Sequence, residues 1–259
     1  MCLIFLAIQS HPTYKLIIAA NRDEFYNRKT APADYWLDHP DILGGRDLEA
    51  QGTWLAMSRS GKISLLTNYR DPQNIDPHAP SRGHLVADYL ENNIPPEDYL
   101  SGVEKKSHQY NGFNLVAGDV DELWFLSNYR PGIMKINAGL SGLSNHLLNT
   151  PWPKVERGKE KLKILLQNSA LNPEILFEFL FDDQRASDAQ LPDTGIGLER
   201  ERALSSMFIK SPGYGSRCST VVLVDKQNHV SFSERVYDTA TFDHTTKNFE
   251  FDITEANDQ

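Results

Sequence analysis

Cys2 directly follows the first methionine and stands at the head of the apolar run LIFLAI; it is one of two cysteines in 259 residues. Cysteine packs much as a small apolar residue does, so a place at the start of a core strand would explain it without chemistry. It also has a chemical reading. Removal of Met1 would leave a thiol nucleophile and a free α-amine on one carbon, and an amine of pKa about 7.7–8.0 can serve as the local base. A thiol of pKa about 8.5 is only slightly ionised at neutral pH, and a nearby guanidinium favours the anion. The run AANRDEF (19–25) offers such a group in Arg22, followed by Asp23 and Glu24, either of which could orient the amine. In a regular strand Arg22 and Glu24 share one face while Asn21 and Asp23 share the other. Both carboxylates can then face the thiol only if the chain bends.

Three further residues could complete a site. Asn68 in LLTNYRD has an amide able to donate to an oxyanion, although Asn before a loop is also ordinary turn chemistry. Asn145 in LSNHLLNTPWPKV precedes a long helical stretch, where it could equally cap a helix. Arg217 opens YGSRCSTVVLVD-type strand sequence, and with Arg22 it could clamp a substrate carboxylate. If Arg217 faces the pocket, its neighbour Cys218 faces away, so no Cys2–Cys218 disulfide is expected.

The elements that must position these residues are mostly short strands. CLIFLAIQ (2–9) and KLIIAAN (15–21) flank a turn and predict a hairpin that brings AANRDEF back beside Cys2. TWLAMSRS and KISLLTNY predict a second hairpin around Gly61, ending at Asn68. Two helices are expected next, starting at Ser81 and at Pro95/Pro96. FNLVAGD, ELWFLSNY and GIMKINAG then read as strands. A long helix from Pro153 (153–171) and another over NPEILFEFLFDD follow. The polar stretch 182–197 reads as a loop, and RCSTVVLVD, HVSFSERVY and NFEFDI read as closing strands. Hairpins with helices arriving in pairs exclude βαβα alternation. They point to an α+β fold, a four-layer αββα sandwich of two mainly antiparallel sheets, as one domain over 1–259.

Bulk composition narrows the function class. The chain is 40% hydrophobic and 24% charged with a formal net charge of −9. An acidic balance without a basic run gives no support to nucleic-acid binding. Apolar runs are far short of the ~18 residues of a spanning helix, and no basic n-region precedes LIFLAI. Two cysteines suit a reducing compartment, so a cytoplasmic protein without stable membrane insertion is expected.

Together MC, ANRDEF, TNYRDP, YNGFN, GLSN…TPWPK and PGYGSR…VVLVD resemble the NRDE family, the family of the transport and Golgi organisation 2 protein, over residues 1 to about 251. The resemblance implies an N-terminal nucleophile (Ntn) hydrolase-like fold, similar to penicillin V acylases and bile-salt hydrolases. On that likeness Cys2 matches the nucleophile, Arg22 the arginine beside it, and Asn68 an oxyanion-hole asparagine. Asn145 matches the second site asparagine and Arg217 the late arginine. Here the carboxylates follow Arg22 at once, unlike that branch, which leaves the amine-orienting residue open between Asp23 and Glu24, with Asp23 the narrow choice. The family is also associated with intracellular haem mobilisation. This implies a haem carrier with haem as cargo and no required cofactor; Trp54 and Tyr69 are aromatics able to hold a flat ring, although core packing would also account for them. His108 and His229 are the histidines in family-like segments. The alternative is an amidohydrolase that opens a C–N amide bond of a small or acyl-lipid-like substrate through a Cys2 thioester. A protein–protein adaptor without pocket chemistry is the third reading.

Overall fold

The computed structural model describes residues 2–254. The apolar run behind Cys2 forms β1 (Cys2–Ile8), and the next apolar run forms β2 (Tyr14–Phe25), which continues through the whole of AANRDEF. The two pair antiparallel with Cys2 opposite Arg22 and Ile8 opposite Leu16. Next come β3 (Thr30–Tyr35), β4 (Ile42–Asp47), β5 (Leu55–Ser58) and β6 (Lys62–Asn68). Helices α1 (His84–Glu91) and α2 (Pro96–Lys106) precede β7 (Phe113–Asp119), β8 (Leu123–Ser127), β9 (Arg130–Lys135) and β10 (Gly139–Leu143). The chain then forms α3 (Pro153–Leu165), α4 (Pro173–Leu180) and α5 (Leu198–Ala203). It closes with β11 (Lys210–Ser211), β12 (Tyr214–Asp225), β13 (His229–Tyr237) and β14 (His244–Asp252).

Two antiparallel sheets result. One runs β10-β1-β2-β12-β13-β14, with β11 beside β12, and the other runs β3 to β9 in chain order. Period-two alternation sorts the side chains of the first sheet. Ile4, Leu6 and Ile18 face Met57, Leu65 and Val116 of the second sheet across the middle of the sandwich. Leu3, Phe5 and Ile17 face outward against Val155 and Leu162 of α3 and Phe177 of α4. The second sheet turns Leu115 and Ala117 toward Leu85, Val86 and Leu100 of α1 and α2. This is the expected αββα order, with each fully buried Leu, Ile or Phe contributing about 1.5–3 kcal/mol. Contact between α3 and β1 is close at Gly158, where an added Cβ would lie 2.0 Å from Phe5 Cζ.

Four local differences from the expected elements bear on the site. Strands β3 and β4 carry Pro32, Gly44 and Gly45, which mask their strand signal. Gly44 is required there, because a Cβ would meet that of Ala56 on β5 at 2.5 Å. Helix α1 begins at His84 rather than at Ser81, with no side-chain cap, so Ser81, Arg82 and Gly83 belong to the preceding loop. Helix α3 stops at Leu165 rather than 171, and Asn168 turns back to accept from the N–H of Ala170. The stretch read as RCSTVVLVD pairs with β2 through a bulge: Ser216 stands opposite Asp23 and Cys218 opposite Arg22, leaving Arg217 as the extra residue. No helix among the described residues is long and apolar enough to cross a membrane.

Candidate active site

The start of β1 and the ends of β2, β4 and β6 meet at one end of the sandwich, around a cavity of about 300 Å³. Cys2, Arg22, Asp23 and Asn68 line it, as do Glu24, Arg28, Asp47 and Trp54. The loop before α1 closes one side with Ser81 and Arg82. That loop sits tightly because Gly52 and Gly83 touch; a Cβ on Gly52 would lie 2.5 Å from the Gly83 carbonyl carbon. Asn111 staples its middle, donating to the Asp76 carbonyl and accepting from the Asp76 N–H, both at 2.8 Å.

Alternation along β2 holds through the motif. Arg22 and Glu24 face the cavity with Cys2, whereas Asn21 and Asp23 turn toward the helices. Arg22 is 5% exposed, stacked 4.1 Å over Trp54, with Glu24 and Asp47 oxygens at 3.8 and 3.7 Å. Asp47 accepts from Arg28 Nε at 2.6 Å and from the N–H groups of Glu49 and Ala50. Burial alone would raise the Asp47 carboxyl, but these donors hold it below the usual carboxylate range. Arg82 donates through Nη1 to the Gly112 carbonyl at 2.9 Å, and burial pulls its guanidinium down from its ordinary value. Burial also pushes the Cys2 thiol up, and the charge of Asp23 adds to this while that of Arg22 offsets part of it.

Asp23, the narrow choice for orienting an amine, has its carboxylate on the helix side of the sheet. Ser216 Oγ donates to it at 2.5 Å, and burial raises its pKa. Glu24, on the cavity face, accepts from the Phe25 N–H.

Asn68 and Asn145 play different parts. The Asn68 side chain makes no hydrogen bond to another described residue and lines the cavity. Asn145 is 0% exposed and stands behind it, donating from Nδ2 to the Asn68 carbonyl at 3.0 Å. It caps no helix, since α3 begins after Trp152. Ser144 Oγ donates to the Cys2 carbonyl, Thr67 Oγ1 to the Ser144 carbonyl, and Asn114 to Thr67 and to the His146 carbonyl. These bonds tie the TNYRDP, YNGFN and GLSN segments to Cys2.

Arg217 is not among the cavity-lining residues. Bulged out of β12, its Nη1 donates to the backbone carbonyls of Phe25 and Arg28, so it braces the turn after β2. The bulge also places Cys218 on the same face as Arg22 and Cys2, not on the opposite one. The two cysteines are free and sit on strands separated by β2, so about 10 Å of sheet lies between their backbones, beyond disulfide reach.

The sequence did not single out Arg28, Asp47, Arg82 or Lys154. Arg82 was hidden by the helix signal of SRGHLVADYL, and Asp47 by the two glycines before it. Lys154 lies in the TPWPK segment, where only its place in a helical stretch was read. It is 2% exposed, with an Nζ that has no hydrogen-bond partner among the described residues. Of the haem-ligand candidates, His108 is exposed after α2. His229 is exposed on β13, paired with Asp252 and Glu250. Tyr69 stacks on Tyr129 at 3.8 Å, outside the cavity lining.

Comparison with known proteins gives the family. The chain is 38% identical over 275 residues to the Homo sapiens transport and Golgi organization protein 2 homolog, covering 98% of this chain and 99% of that one. It is 32% identical to the Drosophila melanogaster protein, over 90% and 91% of the two chains. Among solved structures, a mutant conjugated bile acid hydrolase from Clostridium perfringens superposes with a TM-score of 0.53 at 8% identity, covering 98% of each chain. The Caenorhabditis elegans N-acylethanolamine-hydrolyzing acid amidase ortholog gives 0.51 at 11% identity, over 86% and 92%. The fold is therefore that of the Ntn hydrolases. The family model described as transport and Golgi organisation 2 matches residues 1–239, and the chain belongs to that family.

Proposed function

We propose that this chain acts on a small anionic acyl compound, opening a C–N amide bond with the Cys2 thiol. The observation that carries the reading is the juxtaposition of Cys2 with Arg22, Arg28, Arg82 and the unengaged Asn68 amide around one cavity. Arginines suit a carboxylate or phosphate on the substrate, which they can bind through paired N–H groups. Once such a group is held, the Cys2 sulfur attacks the amide carbonyl carbon and its proton passes to the departing amine. The Asn68 Nδ2–H groups stabilise the oxyanion. The acyl thioester is then hydrolysed by water, which returns the thiol and releases the acid. Similarity of fold to a bile acid hydrolase and an acid amidase is consistent with this chemistry without naming the substrate. Two free cysteines suit a reducing cytoplasm as its location.

The test is a panel of N-acyl amino acids and other acidic amides followed by mass spectrometry. Cys2→Ala is expected to abolish turnover. Arg82→Leu is expected to raise KM about tenfold or more while leaving kcat nearly unchanged, the signature of lost substrate binding. Turnover retained by Cys2→Ala would overturn the reading.

A carrier of haem is the second reading, favoured by the same arginines, which would pair with the two propionates. Among the described residues lining the cavity, Cys2 is the one of a haem-ligand type, with no His, Met or Tyr beside it. Titration with haem should then give a saturable Soret change of fixed stoichiometry, weakened by Arg82→Leu. Non-saturating binding would count against it.

A further inference from the structure

Sheet edges expose unpaired backbone groups, and folded chains block them with prolines, bulges, short strands or covering side chains. Of the four strands that end the two sheet orders, three are blocked. Strand β3 carries Pro32 and a break in its pairing with β4. Strand β9 carries Pro131 and a register shift against β8, and its Gly132 N–H donates to Glu104 Oε1 at 2.7 Å. Strand β10 is five residues long and is closed by Asn149. The Asn149 Oδ1 accepts from the Gly142 N–H at 2.9 Å, and its own N–H donates to the Gly142 carbonyl at 2.8 Å.

The fourth edge, β14, has none of these devices. It runs nine residues, HTTKNFEFD, without proline or glycine, and pairs with β13 in one unbroken register. At the two ends of that ladder the Asp238 N–H donates to the Asp243 carbonyl at 2.7 Å and the Ile253 N–H to the Asn228 carbonyl at 3.0 Å. Those bonds fix the alternation of an antiparallel pair. Thr245, Lys247, Phe249 and Phe251 therefore bond to β13, while His244, Thr246, Asn248, Glu250 and Asp252 turn their N–H and C=O groups outward. Among the described residues no hydrogen bond reaches those outward groups. Lys247, the one cation on the strand that could guard the edge, is drawn across the sandwich to Asp34 at 2.8 Å.

We propose that β14 is a self-association edge: it pairs antiparallel with β14 of a second copy about a two-fold axis at Asn248, joining two sheets into one across the dimer. A second copy is the occupant because the strand is complementary to itself. An axis at Asn248 uses all nine residues. It sets His244 beside Asp252 of the second copy, Thr246 beside Glu250, and Asn248 beside its own counterpart, with no like charges opposed. An axis at Lys247 would oppose that lysine to itself, and one at Glu250 would oppose two carboxylates, both destabilising. Axes at Thr246 or Phe249 leave one end of the strand unpaired. A single strand edge is smaller than a standard interface, so the dimer is weak and forms as concentration rises. The pairing is independent of any chemistry in the cavity.

The experiment is sedimentation velocity of the full chain under reducing conditions between about 1 and 300 µM. The native chain is expected to pass from monomer toward a doubled mass. Asn248→Pro removes an outward N–H and no backbone bond to β13, so the fold is kept while association weakens about tenfold or more. A native chain that stays monomeric throughout overturns the proposal, whatever other strand the edge accepts. Undiminished association of a folded Asn248→Pro chain overturns it as well. Where that variant does not fold, cross-linking decides, since Cys2 and Cys218 are buried and do not compete. Asn248→Cys stands opposite its own counterpart at about 5.5 Å between Cα atoms, within disulfide reach, whereas Thr246→Cys stands opposite Glu250. Diamide oxidation is expected to link the first chain into a dimer about tenfold faster than the second, and equal rates overturn the pairing.

Discussion

The two faces of β2 use polar side chains in opposite ways. Toward the helices, Asn21 donates to the carbonyls of Leu180 and Met207, both at 2.9 Å, and accepts from Ser219 Oγ at 2.5 Å. Toward the second sheet, Arg22 has ion pairs at 3.7 and 3.8 Å, longer than hydrogen bonds, and a Trp54 ring. Around Asn21 the helix side is closed and its polar groups are paired, which makes it rigid. The cavity side keeps donors in hand for a ligand. One stretch of sequence, NRDE, therefore builds scaffold and site with alternate residues.

Asn21→Leu should break the scaffold side. It roughly keeps the side-chain volume but strands two buried carbonyls and leaves the Ser219 hydroxyl with Tyr237 alone, a loss of about 3 kcal/mol. Urea unfolding measures it, and a change under about 1 kcal/mol would show that those bonds do not hold the helices to the sheet.

Asp47→Asn probes the cavity side, with a smaller effect of about 2 kcal/mol at neutral pH. The carboxyl of Asp47 is held below its unfolded value, so its stabilisation is full above about pH 4 and is lost as pH falls through the folded pKa. The native chain and the variant should therefore differ at pH 7 and converge near pH 2. A constant gap across that range would mean that the Asp47 charge contributes nothing.

Lys247→Ala is the control away from both faces. The Lys247–Asp34 pair at 2.8 Å is largely exposed, and its loss should move stability by about 0.5 kcal/mol or less. A larger change in the thermal midpoint would mean that the edge strands β3 and β14 are coupled more tightly than their surface contacts suggest.

The αββα order was legible because strand and helix periods alternate cleanly in CLIFLAIQ, KLIIAAN and the stretch after Pro153. Cys2 and Arg22 were legible as neighbours because a short hairpin fixes register. Strands β3 and β4 were not, since Pro32, Gly44 and Gly45 obscure the strand pattern and the reason for Gly44 is Ala56, a contact across strands. Arg217 looked like a cavity residue because its bulge depends on pairing between β12 and β2, which no local pattern reveals.

By itself the sequence determined the hairpin, the alternation along NRDE and the layer order, because these follow from local turns and from the period of apolar residues. Tertiary structure alone decided which charges meet. Arg82 reaches the cavity only because Gly52 and Gly83 let two loops touch. Lys154 is buried only because α3 packs on the outer face of β1 and β2. Both outcomes depend on contacts between segments far apart in the chain, and electrostatics acts through space rather than along the sequence.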